Sequence, residues 1–355
     1  MFYREAGVFK TSYAADMALY PLPATRWWLA GLAVLLVVLI PVLASDYTLS
    51  ILNLILVAVV GAIGLNLLTG NTGQISIGQG AFMAVGAYTA ANLIIRAHAS
   101  FWIAIPAAGA MTALVGAIVG VPSLRIKGLY LTVATLAAQF IIEWIINHIT
   151  WISGGIQATI QMPPPVVFGY TLHTQAGFYL FLLAFAVLAV IAAKNLERSR
   201  YGRAFIAVRD QDIAAEIIGI DIFRTKLIAF AISSFYAGVA GALYSYYLGI
   251  ANYEQFQIDV SINYLAMVII GGLGSVSGSI LGAAFITLLP VVTRRVLEAA
   301  GGLFGAGLDV AGIIPELRLC LFGGLIIIFL VAEPEGLDRL WRNVRTWFRT
   351  WPFSY

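Results

Sequence analysis

The feature that most constrains this chain is a series of apolar runs, each close to the length that crosses a lipid bilayer as helix. The runs 27–44, 49–68, 101–121 and 180–193 contain no charged residue. A helix needs about 17–25 apolar residues to span the hydrocarbon core. Backbone polar groups find no water there, so a spanning segment closes its hydrogen bonds internally. The sequence therefore predicts an all-α fold, a polytopic transmembrane helical bundle.

Composition narrows the classes of partner and ligand. The chain is 61% hydrophobic and 10% charged, whereas an average soluble domain is about 25% charged. Its single cysteine, Cys320, lies in an apolar stretch, which excludes an internal disulfide framework and a multi-thiolate metal site. The net charge of +3 comes from basic residues between spans, which membrane orientation explains better than nucleic acid does. We expect no nucleic acid, metal ion or cofactor.

Nine membrane helices are predicted, and they divide the chain into three parts. The first span follows an aromatic and charged leader rather than a brief basic region, so we interpret it as a retained span and not as a cleaved signal. The parts are a leader over 1–26, a permease domain over 27–332 and a tail over 333–355. The spans lie near residues 27–45, 49–69, 76–95, 101–121, 128–149, 176–193, 227–248, 262–291, which is broken, and 313–332.

The distribution of basic residues predicts the orientation. Segment 194–226 holds seven lysines and arginines, and segment 150–177 holds none. The positive-inside rule makes the first cytoplasmic and the second periplasmic. The tail is also basic, but nine simple crossings would leave it outside, so an extra pass or re-entrant turn is needed, most naturally in 262–291. We expect a multi-pass protein of the bacterial inner membrane with both termini cytoplasmic.

The tail places apolar residues at helical spacing with arginines between them. This pattern predicts an amphipathic helix that lies on the membrane surface against lipid. Packing against the rest of the protein is the alternative. The residues are Leu337, Leu340, Trp341, Val344, Trp347, Phe348 and Trp351, with Arg339, Arg342, Arg345 and Arg349.

Two glycine-rich breaks interrupt apolar helices. Segments 70–76 and 271–277 both read G-x-x-G-[QS]-[IV]-S, which suggests an internal repeat, with coincidence in a glycine-rich chain as the alternative. Backbone groups freed inside a bilayer need protein or water partners, so paired breaks indicate a solute pathway. We expect the two breaks to face each other near the axis of the subunit. The candidate pathway residues are Gly70, Asn71, Gly73, Gln74, Ser76, Gln79, Gly271, Gly272, Gly274, Ser275 and Ser277.

The chemistry of these residues leaves two interpretations open. Side chains such as Gln74 and Ser275 could offer weak neutral contacts to a polar solute, or they could cap helix ends. Ionisable residues are scarce in the spans, and Glu143, the one well inside, is better explained by snorkelling or an inter-subunit contact than by a proton relay. An ion-coupled secondary transporter is the alternative hypothesis; it would need ligands for a coupling ion, and the scarcity of acids in the spans argues against it. An enzyme would need a cluster of His, Asp or Glu at the membrane face, and we expect none.

Between two spans, residues 203–219 are predicted to form a short cytoplasmic helix. Gly219 suits its C-terminal stop and Asp221 suits the N-cap of the next helix. Its alanine-rich middle has little bulk, so a partner's cleft could accept it closely. Downstream, Ala237, Gly238, Gly241 and Ala242 predict a close helix crossing, within this subunit or with another.

With this loop the chain strongly resembles the branched-chain amino acid ABC transporter permeases. The resemblance covers about residues 49–332 and includes Gly-Leu-Asn at 64–66, Gly-Ala-Tyr at 86–88 and Gly-Leu-Tyr-Leu-Thr at 128–132. It implies that the loop is the coupling helix that contacts an ATPase, so a bulky residue at Ala215 should uncouple hydrolysis from uptake. The implied coupling residues are Arg203, Arg209, Asp210, Ala214, Ala215, Glu216 and Gly219.

The resemblance also implies the function and the partners. It makes the chain a permease subunit of an ABC importer, paired with a second similar permease, two cytoplasmic ATP-binding subunits and a periplasmic solute-binding protein. The chain has no G-x-x-x-x-G-K-[ST] phosphate loop, so energy must come from a partner. Only half of the family's Thr-Gly-Gly-x-x-Gly run is present at 153–159. Branched-chain amino acids are thus the default solute, with urea, amides and aromatic or other organic acids left open.

Overall fold

The computed structural model describes residues 11–12, 23–123, 129–154, 159–167, 170–304, 320, 323–324, 327–328, 331 and 336–350. The described helices are α1 Pro23–Val34, α2 Ile40–Leu43, α3 Asp46–Thr72, α4 Gln79–Ala97, α5 Phe101–Ser123, α6 Leu129–His148, α7 Thr150–Ser153, α8 Gln175–Arg198, α9 Arg200–Asp210, α10 Asp212–Ile217, α11 Ile222–Leu248, α12 Ile258–Gly271, α13 Val276–Phe304 and α14 Gly336–Thr350. A π-helical turn, Leu35–Leu39, joins α1 to α2, and Tyr253–Phe256 forms a 3-10 helix.

The predicted all-α membrane fold is confirmed. Among the described residues, seven helices are long and apolar enough to cross a membrane. They are α3, α4, α5, α6, α8, α11 and the first part of α13. The predicted first span is occupied by α1, the π-helical turn and α2. The predicted span at 313–332 falls on residues that are mostly outside the described part of the chain.

Local sequence signals set several helix ends. Side chains at the N-cap accept hydrogen bonds from free backbone N–H groups: Ser45 for α3, Thr174 for α8 and Asp221 for α11. Such caps stabilise a helix by about 1 kcal/mol. The predicted roles of Asp221 and Gly219 are both confirmed, since Asp221 caps α11 and Gly219 has φ of +90°.

Helix α11 is the centre of the bundle and packs against α3, α4 and α5. Helices α4 and α11 approach each other closely because glycines on each helix face the backbone of the other. A Cβ atom at Gly86 would overlap the carbonyl oxygen of Gly238, and one at Gly241 would overlap that of Met83. The predicted close crossing at these small residues is confirmed, and it lies within this subunit.

The two ends of the bundle are distinct. At one end, strand β1 (Thr159–Gln161) pairs antiparallel with β4 (Ile250–Asn252), and β2 (Val166–Val167) pairs with β3 (Tyr170–Thr171). The start of α3 is at the same end, because Asn53 donates to Gln175 at the start of α8. The opposite end carries α9 and α10 and is called the loop end below.

Candidate functional site

The first break turns the chain back into the bundle. Helix α3 ends at Gly73, whose left-handed φ of +69° suits glycine. Residues 73–78 are not helical, and Gln79 then donates to the carbonyl oxygen of Gly61 at 3.0 Å. Gly61 lies about 17 Å from the end of α3 at 1.5 Å per residue. Helix α4 therefore begins deep inside the bundle rather than at its surface.

Polar side chains satisfy the helix ends that meet at this depth. Gln139 of α6 accepts from the backbone N–H of Ala81 at 2.7 Å and donates to the carbonyl oxygen of Phe256 at 2.9 Å. Ser261 of α12 accepts from the N–H of Gly80 at 2.8 Å and donates to Gln139 at 3.1 Å. Gln139 and Ser261 are fully buried. These five residues, called the central junction, pair groups that would otherwise be free in the membrane.

The second break is a tight helical hairpin. Helices α12 and α13 are joined by residues 272–275 and run antiparallel, since Gly271 packs against Gly278 and Met267 against Gly282. The turn relies on Gly274, whose φ is +80°. The predicted interruption of 262–291 is thus a reversal of direction between two packed helices.

The two breaks meet at the loop end. The amide of Asn66 donates to the carbonyl oxygen of Ser275 and to Ser279, both at 2.8 Å, and its oxygen accepts from the N–H of Gly274 at 2.8 Å. A Cβ atom at Gly70 would overlap the backbone nitrogen of Gly274. This contact between Gly70 and Gly274, held by Asn66, is called the break contact.

Arg209 joins the break contact to the loop. Its Nη1 donates to the carbonyl oxygen of Gly70 at 3.0 Å and lies close to Gly274, and its side-chain stem lies against Gly73. The same guanidinium pairs with Asp210 at 2.9 Å. Helix α9 is therefore hydrogen-bonded to the first break and lies close to the second through one side chain.

The tail helix α14 docks on the second break from the same end. Ser277 donates to Asp338 at 2.6 Å, and Asp338, which is 5% exposed, also pairs with Arg342 at 3.4 Å. Gly336 packs against the backbone of Gly272. The first turn of the tail thus packs against the protein, whereas Trp341, Val344 and Trp347 further along are exposed.

The candidate pathway residues fall at two depths. Gly70, Asn71, Gly274 and Ser275 belong to the break contact or adjoin it at the loop end. Gln79 lies at the depth of the central junction. Between these levels, the buried side chains of Gln74 and Ser76 belong to the non-helical segment.

Three bonded residues of the site were missed by the sequence reasoning: Asn66, Gln139 and Ser261. Each is a polar residue in an apolar helix, and that isolation was the available signal. The structure shows why it matters, because every one of them bonds to backbone far away in sequence.

The loop departs from the prediction in two ways. Residues 203–219 do not form one helix, because Gln211 is extended with φ of −158° and ψ of 105° and separates α9 from α10. Ala215 is not at the surface where a partner could contact it, because it is only 2% exposed within this chain. The expectation that Ala215 makes a close intermolecular contact was therefore wrong. A bulky residue there would disturb the loop's own packing.

The exposed face of the loop is apolar instead. Ile213, Ile217 and Ile218 are 68%, 81% and 73% exposed. Glu216 and Ala214 are exposed beside them, as are Arg203 and Asp210 on α9. Three neighbouring exposed isoleucines outside a membrane span are typical of a surface that binds another protein.

Helices interrupted within a bundle, with buried polar groups pairing their ends, are typical of membrane transport proteins. The fold and site define this class for the chain. The particular family is that of branched-chain amino acid transport system permease components, to which the chain belongs, since that family's model matches residues 47–330. It is a family of transport permeases, and the chain is a multi-pass permease subunit of an ABC importer.

Individual relatives agree with this assignment. The chain is 31% identical over 320 residues to the high-affinity branched-chain amino acid permease protein LivM of Escherichia coli, covering 84% of this chain and 71% of the relative. It is 28% identical to the probable permease protein LivH of Methanocaldococcus jannaschii, over 80% and 89% of the two chains. It is 29% identical to the autoinducer 2 permease protein LsrC of an Enterobacter strain, over 58% and 60%. No solved structure matches the chain.

Proposed function

We propose that the chain forms, with a second homologous permease, the pathway for branched-chain amino acids or related small polar solutes. The second permease, two ATP-binding subunits and a periplasmic solute-binding protein complete the transporter, and this chain catalyses no reaction itself. The observation that carries the proposal is the bond from Arg209 of α9 to Gly70, at the point where the two breaks touch. A movement of the loop would thereby reach the break contact directly.

The break contact is proposed as the gate of the pathway. Its residues are held by short hydrogen bonds from Asn66, and its glycines pack backbone against backbone. Such a contact closes tightly and contributes no large side chain that would trap a solute. A movement of α9 toward or away from α3 would loosen it.

The proposed orientation places the loop end in the cytoplasm. Helix α9 bonds to the first break and helix α14 to the second, both at the loop end, which agrees with both basic segments being on one side. The protein would then lie in the bacterial inner membrane with both termini cytoplasmic. The exposed tryptophans of α14 would lie at the level of the lipid headgroups.

The isoleucine face of α10 is proposed as the surface that docks on an ATP-binding subunit. Ile217→Arg should weaken this docking because it places a charge on the centre of an apolar contact. Loss of a central interface anchor costs about 2 kcal/mol or more, which corresponds to at least about tenfold in affinity. We expect the amount of the chain in the membrane to be unchanged while co-purified ATPase subunits and solute uptake fall together.

Ile217→Leu is the matched control, because it keeps the apolar contact and nearly the same volume. It should retain both ATPase binding and uptake. An Ile217→Arg complex that keeps its ATPase subunits through purification and transports at the normal rate would refute the docking surface.

A further inference from the structure

A cavity of about 760 Å³ lies between α3, α4, α11, α12 and α13. Its volume falls in the range of small-molecule sites. Most of its wall is aliphatic, from residues that include Leu54, Val57, Met83, Met267 and Ile286.

Three polar side chains, spaced four residues apart in the sequence, line this cavity. They are Gln255, Asp259 and Asn263. Among the described residues, none of the three side chains has a hydrogen bond or ion pair, and the Oε1 atom of Gln255 is buried without a partner. Buried polar groups are normally bonded, so the buried Oε1 atom of Gln255 is available to a ligand, with the exposed Asp259 and the half-buried Asn263 beside it.

The position of Asp259 makes its charge informative. It lies in the first turn of α12, two residues before Ser261 of the central junction. Acidic residues at such depth are costly unless they face water or meet a cation, and they mark functional sites by default. Asp259 lines the cavity, is itself exposed, and has no cationic partner in the described part of the chain. A positively charged group on the solute would supply the cationic partner that Asp259 lacks.

We propose that this cavity is a solute-binding site in which Asp259 receives an ammonium group. Gln255 and Asn263 bond the remaining polar atoms, and the aliphatic wall takes a short hydrocarbon side chain. The site selects small aliphatic solutes that carry an ammonium group, over sugars and organic acids without one. This proposal rests on the proposed function and identifies the solute class and where it binds.

The first test measures uptake of radiolabelled L-leucine by the full transporter in proteoliposomes. Asp259→Asn removes the charge at constant size and should lower the uptake rate at least about tenfold, as expected for a lost charged hydrogen bond. Asp259→Glu should recover part of the rate. The control is Glu254→Gln, which removes an exposed acid nearby and should leave uptake unchanged. Unchanged uptake by Asp259→Asn would overturn the proposal.

The second test measures the charge preference of the cavity without transport. In a Cys320→Ser background, Asn263→Cys should react faster with a cationic than with an anionic methanethiosulfonate reagent, and Asp259→Asn should abolish that preference. Equal rates with both reagents, or no reaction with either, would overturn the proposal. If the wild-type transporter takes up no leucine, the proposed solute is wrong, and the reagent rates still decide whether the cavity favours cations.

Discussion

Arg209→Ala is expected to lower solute uptake by at least about tenfold while ATP hydrolysis continues. The Arg209 guanidinium links α9 to the break contact by donating a hydrogen bond to the carbonyl oxygen of Gly70 at 3.0 Å. A hydrogen bond from a charged donor contributes about 1.5–3 kcal/mol. Without it, movement of the loop would no longer be transmitted to the gate. Uptake and ATPase activity should be measured on the same proteoliposomes, because only their ratio reports coupling.

Arg200→Ala is the matched control for this experiment. Arg200 begins the same helix, but its side chain contacts only the neighbouring Tyr201 among the interactions described for it. Its removal should leave the ratio of uptake to hydrolysis unchanged. If Arg209→Ala kept that ratio at the wild-type value, the link between loop and gate would have to be abandoned.

Gln139→Leu is expected to prevent stable assembly. The change keeps the approximate size of the side chain but removes its amide oxygen and its amide N–H group. The N–H of Ala81 and the carbonyl oxygen of Phe256 are then left unpaired at the central junction. Each unpaired buried group costs roughly 1–3 kcal/mol, and no water replaces the bond inside a membrane. The yield of monodisperse protein in mild detergent and its midpoint of thermal unfolding should both fall sharply.

Phe140→Leu, at the next position of α6, is the control. Phe140 is exposed, so leucine there should leave the yield and the unfolding midpoint nearly unchanged. A Gln139→Leu protein with wild-type yield and midpoint would show that the central junction does not hold the interrupted helices together.

The membrane helices were predictable because their signals are local. An apolar run of sufficient length predicts a span, and a capping side chain or a left-handed glycine indicates where it ends. Asp221 and Gly219 illustrate this, since each acts within a few residues of its own position. Seven of the nine predicted spans therefore coincide with helices long and apolar enough to cross a membrane, whereas the first consists of shorter helical pieces and the ninth lies largely outside the described residues.

The central junction was not predictable, because its bonds join positions far apart in the chain. Gln139 is 58 residues from Ala81 and 117 from Phe256. The sequence shows an isolated glutamine in an apolar helix, and only the packing of α4, α6 and α12 shows which backbone groups it satisfies.

The two breaks were predictable as breaks, but not in their conformations. Because segments 70–76 and 271–277 share one sequence pattern, they were predicted to be equivalent. In the structure, the first returns into the bundle over six non-helical residues, and the second is a short turn between packed helices. The difference arises from their surroundings, since α4 must begin beside Gly61 whereas α13 packs directly along α12.

Ala215 shows how a local interpretation can mistake a face. A small residue in a loop suggested close approach by a partner, but Ala215 is only 2% exposed and is covered by this chain's own residues. The exposed isoleucines of the loop could not be recognised from the sequence, because apolar residues in a mostly apolar chain are not distinctive.

The most direct test of the central claim is the energy source for transport by the reconstituted complex. Proteoliposomes that contain this chain and its partner subunits should take up radiolabelled leucine only when ATP and the solute-binding protein are both present. Dissipating proton and sodium gradients should leave that uptake unchanged. Leucine uptake without ATP that follows a proton or sodium gradient would contradict the account and establish an ion-coupled transporter instead.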